Sequence, residues 1–442
     1  MIVMKFGGTS VGSADQIRRV GKIVESWQPQ GPMVVVSAVG GVTDRLLKLE
    51  ELAVDVSRRQ DSEDFLEEIV QTHRDIIQEL ELEPDLLDEV FAEFRDLARG
   101  MSLIRECTLR TKDYLVSFGE RMSSRLVSAH LRKIGIPSQA CEAHKFGLLT
   151  DSRFGAARPV ADVEDRIREH MSKVSGIPVI TGFIGCNERG EITTLGRGGS
   201  DYSASIFGAA MGVEEIQIWT DVDGVMTADP RIVPEPRYLK KLSFAEASEL
   251  AFYGAKVIHP ATMLPAMEHS IPIRVFNTNR PEFEGTLIVD RLEGSEKGLK
   301  SVTSKGNVAV VNIIAAPMLN QYGFMAKISE VFSRYEVVID MIATTEVSVS
   351  MTTDQRADLE PVVRDLASFS QVNVEPDKAI ISIVGEGMRD DQTFAARVFD
   401  ILAKKKVPIE MVSYGATRMN LSILTSGDHA KTAVCALHDH LF

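Results

Sequence analysis

With 442 residues, the chain is too long for one ordinary domain, and two or three are expected. Hydrophobic content of 44% and charged content of 25% are those of a soluble globular protein, and a net charge of −14 disfavours nonspecific binding to nucleic acid or anionic membrane. Four cysteines without CxxC pairing signal neither a disulfide framework nor a zinc site; no leader-like start and no apolar run of roughly 20 residues is present, so a cytoplasmic protein without nucleic-acid or membrane partners is expected.

In chain order, short apolar runs bounded by glycine or polar turns recur: MIVMKFGG, PMVVVSAVGG, IPVITGFIG, IQIWTDVDG and IPIRVFNT. Each is almost continuously apolar rather than alternating, which predicts strands buried on both faces of a parallel sheet. Helical stretches such as ADQIRRVGKIVESW and SDYSASIFGAAMG lie between them. Strand and helix in alternation predict an α/β domain, a mainly parallel sheet with helices on both faces. From 46 to 135 the pattern turns charged and helix-rich, which predicts a helical insertion with its Glu and Arg runs on solvated faces. A last strand and a charged, Gly-containing linker put a boundary near Gly294.

Beyond that boundary the chain repeats itself. Residues 324–342 align without a gap on 394–412, with Phe324 on Phe394, Val331 on Ile401 and Asp340 on Glu410. Each repeat reads βαββαβ, a small ferredoxin-like sandwich. The expected domains are 1–293 with its insertion at 46–135, a linker and strand at 294–307 that joins the second repeat, then 308–377 and 378–442.

Ligands of a parallel α/β sheet bind beyond the carboxyl ends of its strands, and the Gly-rich motifs fall there: KFGGTS, SAVGGVTD, TGFIG and TDVDG. Glycine lets backbone N–H groups approach an oxyanion closely, and a nearby lysine neutralises phosphate charge. TTLGRGGSDYSAS adds a helix N-terminus, with its unpaired donors and positive dipole end. Five such turns on one sheet edge predict a phosphate-handling cleft. Neither GxxxxGK[ST] nor a complete GxGxxG occurs, so a Walker-type NTPase and a dinucleotide oxidoreductase are not supported.

KFGGTSVGS, VSFGERMSS, TTLGRGGSDYSA, WTDVDGVMTADPR and FYGAKVIHPATM, in that order, resemble the signature segments of the aspartate kinase family. The repeats resemble its paired ACT domains, so the resemblance covers essentially the whole chain. It implies transfer of the γ-phosphoryl of MgATP to the side-chain carboxylate of L-aspartate, giving 4-phospho-L-aspartate for lysine, threonine and methionine synthesis. ATP and Mg2+ bound with the nucleotide are the implied cofactors, with no separate protein metal site. A kinase for another acidic amino acid, or a non-catalytic amino-acid sensor, are the competing readings.

By the same resemblance Lys5 and Asp201 are catalytic. Ser37, Thr43, Glu120, Phe183, Arg197 and Ser200 would contact the substrate, Arg197 clamping a carboxylate and Glu120 meeting the ammonium. Gly7, Gly8, Thr220, Asp221, Arg231 and Lys256 would surround the nucleotide. Plainer roles stay open: a helix cap for Asp201 or Thr43, and a surface ion pair for Arg197. Met318, Gly323, Phe324, Met325, Asp340, Thr344 and Thr345 resemble the pocket for lysine in lysine-inhibited members, with Asp340 holding an ammonium or serving only as a strand-end acid. The chain ends directly after the second repeat, which favours the monofunctional, lysine-sensitive type over a form fused to homoserine dehydrogenase. A homodimer or higher homo-oligomer through the ACT domains is the implied assembly.

Overall fold

The computed structural model describes residues 1–253, 258–296, 298–314, 322–415 and 419–442. They divide into two compact units: Met1–Val225, Lys240–Phe244 and Val257–Arg291 in the first, and Met226–Leu239, Ala245–Lys256 and Leu292–Phe442 in the second.

The strands of the first unit are β1 (Ile2–Phe6), β2 (Pro32–Val36), β3 (Ser138–Cys141), β4 (Ile177–Thr181), β5 (Ile184–Cys186), β6 (Ile192–Thr194), β7 (Glu215–Thr220), β8 (Lys241–Ser243), β9 (Ile273–Asn277) and β10 (Thr286–Val289). Eight form one sheet in the order β3-β4-β2-β1-β7-β9-β10-β8, and β5 with β6 makes a separate antiparallel hairpin. The five strands legible as apolar runs are its contiguous parallel centre, β4-β2-β1-β7-β9. Every residue of β1, β2 and β4 is buried, the state that a continuous apolar run requires. Phe6, Trp219 and Phe276 stand in register across β1, β7 and β9 and stack, with Trp219 and Phe276 centroids 4.5 Å apart.

The helices of this unit are α1 (Ala14–Ser26), α2 (Val42–Val54), α3 (Arg59–Glu79), α4 (Asp88–Ile104), α5 (Leu109–Lys133), α6 (Val163–Met171), α7 (Gly199–Met211) and, later in the chain, α9 (Leu264–Glu268), while α8 (Phe244–Phe252) falls in the second unit from its second residue on. The expected solvated faces hold on α3, where Arg59 and Glu63 pair at the surface, and fail on α5. That helix packs on β2, β3 and β4, and its Asp113, Glu120 and Arg121 are buried. α7 lies across β1, β2 and β7.

The second unit has a six-stranded antiparallel sheet, with β11 (Gly298–Ile314), β12 (Ile339–Thr344), β13 (Ser348–Asp354), β14 (Gln371–Glu386), β15 (Met411–Tyr414) and β16 (Asn420–Ser426) in the order β12-β13-β11-β14-β16-β15. Helices α10 (Phe324–Arg334), α11 (Glu360–Ala367), α12 (Phe394–Lys404) and α13 (Ala430–Leu441) complete two βαββαβ repeats. The two long central strands are shared. The early part of β11 pairs with the late part of β14, so residues 298–305 supply the fourth strand of the second repeat. Phe324 and Val331 enter one core, Phe394 and Ile401 another. The expected boundary near Gly294 is crossed twice. Ala228 and Val233 belong to the core of the second repeat, and Tyr253 packs with Val308, Val310 and Met341.

Candidate active site

At the carboxyl ends of β1 and β2 a cavity of about 360 Å³ is walled by Lys5, Gly8, Ser37, Thr43, Glu120, Phe183, Ser200 and Asp201, together with Gly196, Gly198 and Gly199. The carboxyl ends of β1, β2 and β4 and the start of α7 therefore converge, as the edge rule for parallel sheets requires, joined by the segment after β6.

Lys5 is the penultimate residue of β1, so its side chain leaves the face opposite Phe6. Its Nζ lies 2.6 Å from Asp201 Oδ1, with both side chains largely buried. The N-cap of α7 is Gly198, at φ 71°, so Asp201 sits at the third helical position and is no cap. Its carboxylate holds Lys5 instead. Thr43 is likewise no cap: Gly41, at φ 77°, caps α2, and Thr43 faces the cavity. The amides of a first helical turn lack partners within the helix, which leaves the start of α7 polar and electropositive toward the cavity.

The glycine pair after β1 has a different use from the one anticipated. The Gly7 N–H donates to the Trp219 carbonyl at 3.1 Å, so it cannot also serve a phosphate. A Cβ at Gly8 would stand 3.0 Å from the Ala38 carbonyl oxygen, and one at Gly40 3.1 Å from that of Gly8. These glycines let the turns after β1 and β2 touch backbone to backbone. A Cβ at Gly119 would meet Cβ of Ala38 at 2.6 Å, which brings α5 equally close.

That contact delivers Glu120. It is 3% exposed, and its Oε1 accepts the Ala38 N–H at 3.1 Å. Oε2 has no hydrogen-bond partner among the described residues. Burial pushes the carboxyl up to about 8, against the opposing pull of the Ala38 N–H and the Lys5 charge.

Phe183 adopts φ 67°, a left-handed conformation costly for a bulky residue and held here by its N–H donating to Ser203 Oγ at 2.9 Å. Its ring lies so near Gly199 that a Cβ there would come within 2.5 Å. The Ser37 N–H donates to the Phe6 carbonyl at 3.1 Å, tying the turn after β2 to β1. Arg197 is exposed between Gly196 and Gly198, both left-handed, and among the described residues it has no ion-pair partner. It is not among the residues that wall the cavity.

The residues expected at the nucleotide are divided between the two units. Thr220 ends β7 and Asp221 follows it, the Thr220 hydroxyl donating to Asp221 Oδ1 at 3.1 Å. Arg231 belongs to the second unit, where its guanidinium grips Asp229. Lys256 lies outside the described residues, as does Met318. Asp223 is fixed by Asn277 at 2.6 Å and Arg280 at 2.5 Å, a loop-forming role.

In the first repeat, Gly323, at φ 82°, caps α10. The Phe324 side chain is in the core with Met325 packed against it, so only backbone at Phe324 is open to a ligand. Thr344 and Thr345 are exposed, Thr345 closing a turn onto Ser348. The Asp340 carboxylate is buried and does hold an ammonium, that of Lys305 at 2.6 Å. Sequence reasoning missed this partner, and missed Asp113 on α5, because each partnership joins elements far apart in the chain.

The amino acid kinase family profile matches residues 1–277, and an ACT domain profile matches 381–441. The chain is 38% identical to aspartokinase 2, chloroplastic, of Arabidopsis thaliana, over all of this chain and 84% of that one. It is 32% identical to lysine-sensitive aspartokinase 3 of Escherichia coli, over all of this chain and 99% of that one. The crystal structure of E. coli aspartokinase III in complex with aspartate and ADP superposes with a TM-score of 0.85 at 31% identity, each chain fully covered. Whole-length likeness in sequence and structure, with the cavity where that fold binds ligands, makes this chain a member of the aspartokinases within the amino acid kinase family.

Proposed function

We propose that the cavity transfers the γ-phosphoryl of MgATP to the β-carboxylate of L-aspartate. The carrying observation is the Lys5–Asp201 pair at 2.6 Å on the same wall as Glu120. Phosphoryl transfer asks for positioning and charge neutralisation more than covalent chemistry. A carboxylate oxygen of aspartate attacks the γ-phosphorus while the bond to the ADP oxygen breaks, and no general base is needed because the acceptor is already ionised. Lys5 meets the charge on the transferring oxygens, and Asp201 aims it. Glu120 takes the substrate ammonium, Arg197 folds inward onto its α-carboxylate, and Ser37, Thr43, Phe183 and Ser200 shape the remaining wall.

Gly8, Thr220, Asp221, Arg231 and Lys256 are assigned to the nucleotide, while Gly7 contributes only space beside Lys5. Among the described residues no three His, Cys, Asp or Glu side chains gather as a metal cage. Mg2+ would therefore be held chiefly by the phosphate oxygens, where it neutralises charge.

We assign regulation to an end-product amino acid, lysine in preference to threonine, acting at the first repeat around Asp340. The domain limits proposed are 1–293, less the segments 226–239 and 245–256 that join the second unit, then 294–307, 308–377 and 378–442, the second repeat borrowing its edge strand from 298–305. Self-association through the second unit is supported by exposed Val338 and Ile342 at the β12 edge. The acidic charge and four free cysteines suit a reducing cytoplasm, and no helix among the described residues is long and apolar enough to cross a membrane.

A coupled ADP-release assay with L-aspartate and MgATP tests the reaction. Absence of aspartate-dependent turnover at millimolar substrate refutes it, and turnover with glutamate alone reassigns the substrate.

A further inference from the structure

Glu120 lies on one wall of the cavity, and Gly196, Gly198 and Gly199 lie on another. Among the described residues no hydrogen bond or ion pair joins 195–199 directly to α5, the helix that carries Glu120, yet the distance between the two walls fixes the length of substrate that fits. The link is a buried carboxylate seven residues before Glu120. Asp113 is 2% exposed and stands two turns away along α5, on the same side. Its Oδ2 accepts the Thr194 N–H at 2.8 Å and the Gly155 N–H at 2.9 Å, and its Oδ1 accepts the Thr194 hydroxyl at 2.9 Å.

Both donors lead to the cavity wall. Thr194 ends β6 and is followed by Leu195, whose N–H is held by the Phe183 carbonyl at 3.0 Å. The Gly155 turn is joined to Thr194 a second time, through the Ala157 N–H on the Thr194 carbonyl at 2.9 Å. It also lies directly under Gly196, where an added Cβ would stand 3.1 Å from the Gly155 carbonyl oxygen. One carboxylate thus fastens both the strand that feeds the loop and the turn that supports it, and fastens them to the helix bearing Glu120.

We propose that Asp113 is a positioning residue that sets the spacing between Glu120 and the Gly196–Gly199 wall, and thereby selects a four-carbon over a five-carbon amino diacid. The proposal rests on the reaction assigned above. Asp113 touches no reacting atom. Its influence runs through the rigid span from Thr194 to Gly199, where a small displacement costs the shorter substrate its second contact and makes room for one more methylene.

Asp113→Asn tests it. The amide keeps the volume but not the charge: its oxygen can accept the two backbone N–H groups only while its N–H2 faces the Thr194 hydroxyl, which must then accept instead of donate, so the clasp is weakened without leaving a hole. Measured on the full chain, the KM for L-aspartate is expected to rise about tenfold while the competitive Ki of L-glutamate stays level or falls. The KM for MgATP is expected to stay within about twofold. Thr194→Val removes one donor and leaves the backbone N–H, and it shifts the same ratio in the same direction by less, which keeps the test decisive if the Asn variant does not fold. A ratio of glutamate Ki to aspartate KM equal to that of the unaltered protein, with activity or Tm lowered, overturns the proposal and leaves Asp113 purely structural. Lack of turnover with either acid in the unaltered protein overturns the assigned reaction, and the proposal with it.

Discussion

Replacing Glu120 by glutamine separates what the site does for the fold from what it does for the substrate. Burial pushes the carboxyl up to about 8 in the folded chain, from 4.5 for an unperturbed group. Between those values the folded protein keeps a proton that the unfolded chain releases, so the unfolded state binds fewer protons and stability falls as pH rises through that window. At pH 7 the cost is about 3 kcal/mol, from about 2.5 pH units at 1.36 kcal/mol each. The substituted amide would titrate nowhere and would still offer an Oε1 to the Ala38 N–H. Oε2, which the amide nitrogen replaces, has no protein partner to lose among the described residues. Glu120→Gln is therefore expected to match the parent in thermal stability near pH 5. It should exceed the parent by up to about 3 kcal/mol near pH 7, less what an unpaired amide costs.

Binding moves the opposite way. A substrate ammonium needs the charged carboxylate, which at pH 7 is about one molecule in ten in the free enzyme. The KM for L-aspartate should fall about tenfold per pH unit up to about pH 8 and then level off. In Glu120→Gln it should be flat with pH and, near pH 9, weaker than the parent by about 10- to 100-fold, the worth of a charge-assisted hydrogen bond. ADP-release kinetics from pH 6 to 9 at saturating MgATP, beside thermal unfolding in the same buffers, reads both halves. A glutamine variant that keeps the parental pH slope of KM, or that melts below the parent at pH 8, would refute the assignment of a buried, proton-retaining carboxyl to the ammonium site.

Lys5→Ala should lower kcat by at least about 10³-fold with the chain still folded, and adding Asp201→Ala should cost little more, because the two act as a unit; near-normal turnover in either would remove the pair from the mechanism. Gly119→Ala drives a methyl into Ala38 and should destabilise by about 1–3 kcal/mol while raising the aspartate KM, seen by thermal unfolding and steady-state kinetics together. Lys305→Met strips the buried Asp340 of its internal ammonium, so an effector lysine no longer competes with one, and the lysine concentration for half-inhibition should drop about tenfold. Asp340→Ala should abolish lysine inhibition with turnover intact, and equal inhibition curves for parent and both variants would place the effector elsewhere.

The five central strands could be read directly because burial on both faces leaves an unbroken apolar run. The edge strand β3, with the sequence SQAC and only Cys141 fully buried, carries no such signature. The positions of Lys5, Glu120 and Asp201 followed from motif and strand end, whereas their chemistry did not. An acid near a helix start reads equally as a cap or a ligand, and the choice turns on a register of one to three residues. That register was set here by glycines at positive φ, Gly41 and Gly198, which no composition rule singles out as caps over the Thr and Ser beside them. Phe183 at φ 67° breaks the local rule outright and persists only because Ser203 and Gly199 surround it.

α5 shows why the remainder was illegible. Its charged stretch has the composition of a solvated surface, yet Asp113, Glu120 and Arg121 are buried, each for a reason that lies elsewhere in the chain. Asp113 is buried by donors from Gly155 and Thr194, Arg121 by Glu93 at 2.5 Å, and Glu120 by the turn at Ala38. Helical periodicity reports which positions share a face and cannot report that the partner surface is polar. A charge inside a helix that packs on a sheet is expensive, and it survives only where a specific donor meets it. Once α5 is known to lie on β2, β3 and β4, each inward charge on it therefore marks a place where another segment must be held. For Asp113 that segment is the cavity wall, and for Glu120, whose second oxygen has no protein partner among the described residues, it is the substrate.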